Sequence, residues 1–166
     1  MYNLYKEAMT PWEWHKELFD YAKEKGLLAF STPFDLTAVD FLEKLNPPCY
    51  KVASFENTDH AILAAVAKTG KPVIVSTGMA SQAEIAESVE VLRSNGCDDI
   101  ILLKCTSNYT ANPVDANLKT IPHLSELVDR HVGFSHHTPR ARELLASTSH
   151  GQPLIDKHFL SEGTVI

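Results

Sequence analysis

The sequence predicts an α/β fold in which short parallel strands alternate with helices. Apolar runs recur about every 23 to 31 residues, which is the repeat of a strand–helix–strand unit. Each run is apolar throughout instead of alternating with polar residues, as in strands that are covered on both faces. Polar side chains follow every run, so the strand ends form the predicted functional edge of the sheet.

Length and composition restrict the class of protein. With 166 residues, the chain suits one domain, residues 1–166, with a sizeable core. A net charge of −6 argues against a nucleic-acid surface, so local donors would have to hold any anionic ligand. No apolar run reaches membrane-spanning length, and the N-terminus lacks the apolar segment of a signal peptide. Three cysteines without Cys-x-x-Cys spacing indicate reduced thiols, and the protein is predicted to be cytoplasmic.

The N-terminal part of the chain predicts a helix, a strand and a second helix. Thr10 would cap the first helix in a capping box with Glu13, and Gly26 would end it. The apolar strand follows directly at 27–30. A helix at 37–45 comes next and is terminated by Asn-Pro-Pro.

Four further strand–helix pairs and a last strand complete the predicted order. The strands are predicted at 50–54, at 73–75, at 100–103, from Val132, and within 154–159, and the helices at 59–70, 81–96, 118–128 and 140–150. Ser81 and Glu84 form a capping box at the start of one of these helices. The chain therefore predicts about six parallel strands joined by crossover helices.

Two parallel architectures fit this order. No strand is followed by Gly-x-Gly-x-x-Gly, and there is no Walker A sequence, which counts against a nucleotide-binding doubly wound sheet. A flavodoxin-like open sheet remains an alternative, but it would use only the loops near its switch point. In a (β/α)8 TIM barrel all strand ends converge on one site. Polar residues at every strand end favour the barrel.

Side chains at the predicted strand ends suit the binding of anions. They are Ser31, Thr32, Lys51, Ser54, Glu56, Ser76, Thr77, Lys104, Thr106, Ser107, Tyr109, Ser135, His136, His137, Lys157 and His158. Hydroxyl groups and lysines suit a phosphate or a carboxylate, since each oxyanion accepts several charge-assisted hydrogen bonds. Glu56 is the carboxylate placed to act as a base or to hold a hydroxyl group.

Two of the strand-end histidines predict a metal site. His137 and His158 are 21 residues apart, which leaves room for one crossover connection with a helix. They would then lie at the ends of neighbouring strands and could share one divalent ion. The alternative for either histidine alone is a polar residue that merely ends a strand.

Several other candidates also have a purely structural interpretation. Thr32 stands beside a proline and could belong to a simple turn. Lys104 and Lys157 are weaker candidates than Lys51, because a lysine near a strand end often reaches solvent. Cys105 is interpreted as a small buried hydrophobe, because its position implies no neighbouring histidine base.

Six segments together resemble a known family. They are Phe30-Ser-Thr-Pro-Phe-Asp35, Tyr50-Lys-Val-Ala-Ser-Phe-Glu56, Gly70-Lys-Pro-Val-Ile-Val-Ser-Thr-Gly-Met79, Leu102-Leu-Lys-Cys-Thr-Ser-Asn-Tyr109, Gly133-Phe-Ser-His-His-Thr138 and Asp156-Lys-His-Phe159. In order and spacing these segments resemble the sialic acid synthase family over nearly the whole chain. The Ser-Phe-Glu sequence at 54–56 is more similar to the pseudaminic acid synthase branch than to the N-acetylneuraminate branch.

The resemblance implies a reaction, a cofactor and roles for particular residues. It implies a (β/α)8 barrel that condenses phosphoenolpyruvate with an N-acetylated sugar to give a nine-carbon 2-keto acid, in an enzyme that forms homodimers. A divalent metal, manganese or magnesium, would bind His137 and His158. Residues that match the phosphoenolpyruvate-binding positions are Thr32, Lys51, Ser54, Ser76 and Ser135. Glu56 and Tyr109 match positions beside the sugar and the reacting carbons, and Lys51 is also expected to be catalytic.

The chain also departs from the family pattern. The resemblance begins after the first two barrel strands and ends before the small C-terminal antifreeze-like domain, so we expect a partial barrel. His136 replaces an aspartate, Thr110 replaces the usual proline, and Arg140 stands where the family has glycine. We therefore expect this chain alone to be inactive. The alternatives are an inactive fragment or degenerate paralogue, or a related phosphoenolpyruvate-using aldol synthase with another sugar.

Overall fold

In the described part of the chain, five parallel strands form one sheet in chain order. The computed structural model describes residues 3, 6–7, 9–107, 112–136 and 142–157. The strands are β1 (Tyr50–Val52), β2 (Val73–Ser76), β3 (Ile100–Cys105), β4 (His131–His136) and β5 (Ile155–Lys157). The helices are α1 (Trp12–Glu24), α2 (Leu36–Glu43), α3 (His60–Ala67), α4 (Gln82–Ser94), α5 (Thr120–Val128) and α6 (Arg142–Thr148), and a 3-10 helix at Pro113–Ala116 precedes α5. None of the described helices has the length and apolar character needed to cross a membrane.

The sheet is strongly curled. β1 and β5 are its two edge strands, and four strand spacings would separate them by roughly 19 Å in a flat sheet. The Lys51 ammonium on β1 nevertheless forms an ion pair with the Asp156 carboxylate on β5. The edges therefore approach each other across a concave face, as in part of a barrel. The predicted α/β fold class, a partial (β/α)8 barrel, is confirmed.

The two faces of the sheet have different chemistry. Tyr50, Val52 and Phe134 belong to the apolar core between the convex face and the helices, and their side chains are almost fully buried. Because side chains alternate along a strand, the residue between Tyr50 and Val52 faces the concave side. That residue is Lys51, and the register continues the concave side through Ile74.

Local signals place most helix ends as predicted. Ser81 and Glu84 form the predicted capping box of α4: Ser81 Oγ accepts from the Glu84 N–H, and the Ser81 N–H donates to Glu84 Oε2. Gly26, with φ of +73°, follows the end of α1. The predicted cap at Thr10 is wrong, because Pro11 occupies the N-cap position with extended backbone and leaves Thr10 outside the helix.

The predicted strand at 27–30 is not formed, so the described sheet has five strands where about six were predicted. Leu27 and Leu28 are exposed, and the segment approaches β1 through the Lys51 N–H, which donates to the Ser31 carbonyl at 3.5 Å. Apolar composition alone does not make a strand, because its ladder needs a paired neighbour over several residues.

Candidate active site at the carboxyl ends of the strands

Three side chains from three strands meet on the concave face. Asp156 Oδ2 accepts hydrogen bonds from Lys51 Nζ and from Ser135 Oγ, the latter at 2.9 Å. Ser135 and Asp156 are register partners on β4 and β5, which explains their contact. Lys51 and Asp156 keep 24% and 31% of their side chains exposed, so solvent reaches both. We call these three residues the Lys51 cluster.

Asp156 is a site residue that the sequence analysis missed. It lies within a predicted apolar run, and a carboxylate inside such a run was the signal that could have revealed it. Its negative charge offsets that of Lys51. An ammonium group has three N–H donors, so Lys51 can bind an incoming anion while it keeps its contact with Asp156. The cluster therefore offers hydrogen-bond donors that are already in place, and the charge of its ammonium group is offset by the carboxylate.

A second polar group lies beside the Lys51 cluster. The Gly78 N–H donates to Ser54 Oγ at 3.2 Å, and Ser54 Oγ lies 3.1 Å from Cys105 Sγ. Cys105 is the register partner of Ser135, so both groups lie on the same face. A Cβ atom at position 78 would lie 2.8 Å from Cys105 Sγ and would also collide with Ser107 Oγ. This close approach explains why position 78 is glycine.

The two hydroxyl residues at the end of β2 are buried. Thr77 donates from both its N–H and its Oγ1 to the Leu103 carbonyl, each at 3.0 Å, so its hydroxyl proton joins β2 to β3. Ser76 belongs to β2, and its carbonyl accepts from Asn57 Nδ2 at 3.2 Å. Thr77 is therefore explained by structure, whereas Ser76 stays a ligand-binding prediction.

Glu56 has the environment of a proton-transfer residue. Burial raises the pKa of its carboxyl group, and the nearby charge of Asp59 adds to the rise. Its Oε2 atom is buried and has no hydrogen-bond partner among the described residues. A carboxyl group with a raised pKa and an unused oxygen can exchange a proton with a ligand.

Asn57 holds the loop that carries Glu56. The Asn57 side chain is completely buried, donates to the Ser76 carbonyl, and accepts from Ser88 Oγ at 3.2 Å. These two bonds connect the loop after β1 with β2 and with α4. The sequence analysis missed Asn57, because nothing in a polar loop sequence distinguishes a buried asparagine from an exposed one.

Lys104 and His136 lie on the opposite face of the sheet. Lys104 is the register partner of Phe134, which belongs to the apolar core. Its Nζ donates to Thr106 Oγ1 at 3.1 Å, and burial lowers its pKa. The His136 ring stacks on Phe134 with 5.3 Å between centroids. The interpretation of Lys104 as a lysine that reaches solvent is wrong, because only 7% of the residue is exposed.

Thr32 lies in the segment between α1 and α2. It lines a cavity beside α1, together with Trp12 and Phe41. The neighbouring residue, Ser31, connects the two regions through its carbonyl group, which accepts from the Lys51 N–H. The predicted arrangement of Thr32 beside Lys51 stays a prediction.

The predicted metal ligands and Tyr109 lie outside the described residues. His137 and His158 follow directly after His136 and Lys157, and these two residues are register partners on β4 and β5. Within the described ranges, no group of three or more histidine, cysteine, aspartate or glutamate residues is arranged to hold a metal ion. The metal site therefore also stays a prediction.

Comparison with known proteins decides the family. A sequence profile of the NeuB family matches residues 1–165. The chain belongs to the NeuB family. The pseudaminic acid synthase of Campylobacter jejuni is 38% identical over 165 residues, which are 99% of this chain and 48% of that protein. The N,N'-diacetyllegionaminic acid synthase of the same organism is 41% identical over 147 residues, which are 87% of this chain and 44% of that protein.

A solved NeuB-type structure has the same fold. The N-acetylneuraminic acid synthetase of Leptospira borgpetersenii, in complex with citrate, superposes with a TM-score of 0.92 at 31% identity. The match covers 96% of this chain and 56% of that one. The predicted resemblance to the sialic acid synthases is thus confirmed, and the chain spans about half the length of the curated relatives it matches.

Proposed function

We propose that this chain forms a large part of the active site of a NeuB-type synthase of cytoplasmic carbohydrate biosynthesis. The synthase would condense phosphoenolpyruvate with an N-acetylated sugar to give a nine-carbon 2-keto sugar acid. The observation that carries the proposal is the Lys51 cluster, in which an ammonium group and a hydroxyl group are held at the strand ends of a NeuB-family barrel. Pseudaminic acid synthase is the specific activity we favour, and another NeuB-type sugar acid is the alternative.

The Lys51 cluster and the neighbouring hydroxyl groups would bind phosphoenolpyruvate. Lys51, Ser135 and Ser54 lie on one face, where charge-assisted bonds can hold a carboxylate and a phosphate. Thr32 and Ser76 complete the proposed set. Asp156 contacts Lys51 and Ser135 in the free protein, and its negative charge would oppose that of the incoming anion.

Glu56 would move a proton during the reaction. Carbon 3 of phosphoenolpyruvate forms the new bond to the sugar aldehyde carbon, and water adds at carbon 2. The bond between carbon 2 and the bridging oxygen then breaks, and phosphate leaves with that oxygen. Glu56, whose pKa is raised by burial, would accept the proton that the water loses, and Tyr109 would contact the sugar.

His137 and His158 would hold the divalent cation. The residues before them are register partners on adjacent parallel strands, which supports placing both imidazoles at one end of the sheet. Imidazole nitrogens suit manganese, and the remaining positions would go to water or substrate oxygens. A manganese or magnesium ion bound there would supply Lewis-acid polarisation of the sugar aldehyde.

The open sheet favours a second candidate, in which this chain binds substrate but does not turn it over alone. In the described part of the chain, β1 and β5 are edge strands, and no pairing closes the barrel between them. An open barrel admits water and lacks the donors that the remaining wall would supply. Turnover would then need further polypeptide, and we propose a homodimer for the complete enzyme.

Isotope labelling tests the proposed function. The purified chain is mixed with manganese, an N-acetylated hexosamine and phosphoenolpyruvate that carries oxygen-18 in the bridging position. Under the proposed reaction, released phosphate carries the label and a nine-carbon keto acid appears by mass spectrometry. The test variant is Glu56→Gln, which should lower the rate. The control is Glu87→Gln, which changes an exposed carboxylate and should leave the rate unchanged.

This assay and a calorimetric titration with phosphoenolpyruvate together separate the two candidates. If phosphoenolpyruvate binds but no product forms, the result supports the second candidate, in which the chain binds substrate and needs further polypeptide for turnover. Unlabelled phosphate together with the keto acid, or an absence of any phosphoenolpyruvate binding, contradicts the proposed function.

A further inference from the structure

An open cavity of about 660 Å³ lies at the amino ends of β2, β3 and β4, away from the edge that carries the Lys51 cluster. Its volume falls within the range of small-molecule sites, which is about 300 to 1,000 Å³. β3 begins at this cavity and has six residues, so roughly 17 Å separate its two ends. The cavity therefore lies outside the proposed active site. Its lining includes Pro72, Asp98, Asp99, Ile101, Asp129 and Arg130.

One edge of the Arg130 guanidinium group makes no hydrogen bond within the described part of the chain. Nη1 donates to the Asp129 carbonyl at 2.8 Å, but Nε is buried and has no partner there. Nη2 lies 3.9 Å from Asp98 Oδ1, which is too far for a hydrogen bond. Nε and Nη2 together form the edge through which arginine binds both oxygens of a carboxylate. The side chain is 21% exposed, so a ligand can reach the guanidinium group.

The backbone of Arg130 is held in place without help from its side chain. Ser125 Oγ, on α5, donates to the Arg130 carbonyl at 2.9 Å. Asp129 ends α5 in the left-handed conformation, with φ of +49°, which is uncommon for a residue other than glycine. This turn leads the chain from α5 into β4 and places Arg130 at the cavity, so the guanidinium group stays available to a ligand.

Carboxylates outnumber the guanidinium group around the cavity. Asp98, Asp99 and Asp129 are exposed. Arg130 is the one lysine or arginine among the described lining residues, so a phosphate or sulfate would meet an excess of negative charge. No group of three or more histidine, cysteine, aspartate or glutamate residues in the described ranges is arranged to hold a metal ion. The charges therefore favour a ligand that carries both a carboxylate and an ammonium group.

The spacing of Arg130 and Asp98 favours an α-amino acid within this class. In an α-amino acid, one carbon atom carries both the carboxylate and the ammonium group. A carboxylate on the Arg130 edge therefore brings the ammonium group close to Asp98, whose Oδ1 atom lies 3.9 Å from Nη2. The Asp98 side chain is 88% exposed and has room to turn toward the ligand. Pro72 and Ile101 provide an apolar wall for the side chain of the amino acid.

We propose that this cavity binds an α-amino acid with an apolar side chain, whose carboxylate contacts Arg130 and whose ammonium group contacts Asp98. Asp99 and Asp129 add attraction for the ammonium group. The inference goes beyond the proposed function and does not depend on it, because the cavity and the Lys51 cluster lie toward opposite ends of the strands.

Leucine and two truncated analogues test the assignment of the two charges. The first analogue, 4-methylpentanoate, lacks the ammonium group, and the second, 3-methylbutylamine, lacks the carboxylate. In calorimetric titrations of the 166-residue chain, leucine should bind at least about tenfold more tightly than either analogue, because each analogue loses charge-assisted hydrogen bonds. The ligand 6-aminohexanoate, whose two charges are far apart, should also bind more weakly than leucine.

A matched pair of arginine variants connects binding to the cavity. Arg130→Lys keeps the charge but removes the edge that holds a carboxylate, so leucine should bind at least about tenfold more weakly. Arg93, on α4, does not line the cavity, and Arg93→Lys should leave leucine binding unchanged. Asp98→Asn should also weaken leucine binding. Circular dichroism checks folding, and if Arg130→Lys does not fold, Asp98→Asn decides, because it changes an exposed carboxylate.

Competition with phosphoenolpyruvate separates this site from the proposed active site. Phosphoenolpyruvate should not displace leucine, because the two ligands would lie toward opposite ends of the strands. Displacement, a lack of leucine binding, or an affinity for either truncated analogue equal to that for leucine would overturn the proposal. Equal losses in the two arginine variants, or an unchanged affinity in Asp98→Asn, would also overturn it.

Discussion

Lys51 and Lys104 both stand near the carboxyl end of a strand, yet the fold uses them in opposite ways. Lys51 faces the concave side, contacts Asp156 and keeps contact with solvent. Lys104 faces the convex side, where its stem lies against the core and its ammonium group donates to Thr106. Strand register causes the difference, because Lys51 aligns with Ile101, and Lys104 is three residues further along β3. A shift by an odd number of residues along a strand places the side chain on the opposite face of the sheet.

The largest expected effect on stability concerns Asn57, which connects the loop after β1 to β2 and α4. Asn57→Ala should lower the free energy of unfolding by about 2 kcal/mol, because it leaves the buried Ser76 carbonyl without its donor. The neighbouring Thr58 is exposed, so Thr58→Ala should change stability by less than about 0.5 kcal/mol. Chemical denaturation measures both. Equal effects of the two variants would show that the Asn57 contacts do not hold the loop.

Asp156→Asn sharpens the comparison by removing the charge that offsets Lys51. The variant keeps the shape of the side chain, so phosphoenolpyruvate should bind about fivefold more tightly at low salt, on the order of 1 kcal/mol. Asp98→Asn, at an exposed acidic residue, is the control and should have little effect. Calorimetry gives both affinities. Weaker binding by Asp156→Asn would mean that the carboxylate is needed to hold Lys51 and Ser135 in place.

The smallest expected effect is a pH dependence that originates from Lys104. Burial lowers the pKa of Lys104 in the folded protein below the value of 10.5 in an unfolded chain. The unfolded state therefore binds more protons, and this residue should make stability rise with pH between its lowered pKa and 10.5. In denaturation experiments between pH 8 and pH 10, the free energy of unfolding should rise less for Lys104→Met than for the wild-type protein. Identical slopes would indicate that the Lys104 ammonium is solvated.

Local signals account for the parts of the fold that were predicted from sequence. The Ser81 and Glu84 capping box and the glycine after α1 act within a few residues, so the sequence contains the whole interaction. The prediction of a strand at 27–30 was wrong, because strand formation depends on pairing with a partner that is distant in sequence. The prediction of a cap at Thr10 was wrong, because Pro11 occupies the N-cap position.

Lys51 and Ser135 were candidates from the sequence, but Asp156 and the contacts among the three residues were not predicted. The contact between Lys51 and Asp156 joins residues 105 positions apart and exists only because the sheet curls. The face on which Lys104 lies depends on the register of three strands, which no single strand sequence contains. The different environments of Lys51 and Lys104 therefore follow from their positions in the fold and not from their residue type.

A phosphoenolpyruvate titration of the matched pair Lys51→Met and Lys104→Met tests the central claim most directly. Methionine keeps the length of the stem and removes the charge in both variants. We predict that Lys51→Met weakens binding about 100-fold, which corresponds to about 2.7 kcal/mol, and that Lys104→Met changes it less than about twofold. Equal losses, or a larger loss for Lys104→Met, would contradict the assignment of the concave face as the anion site.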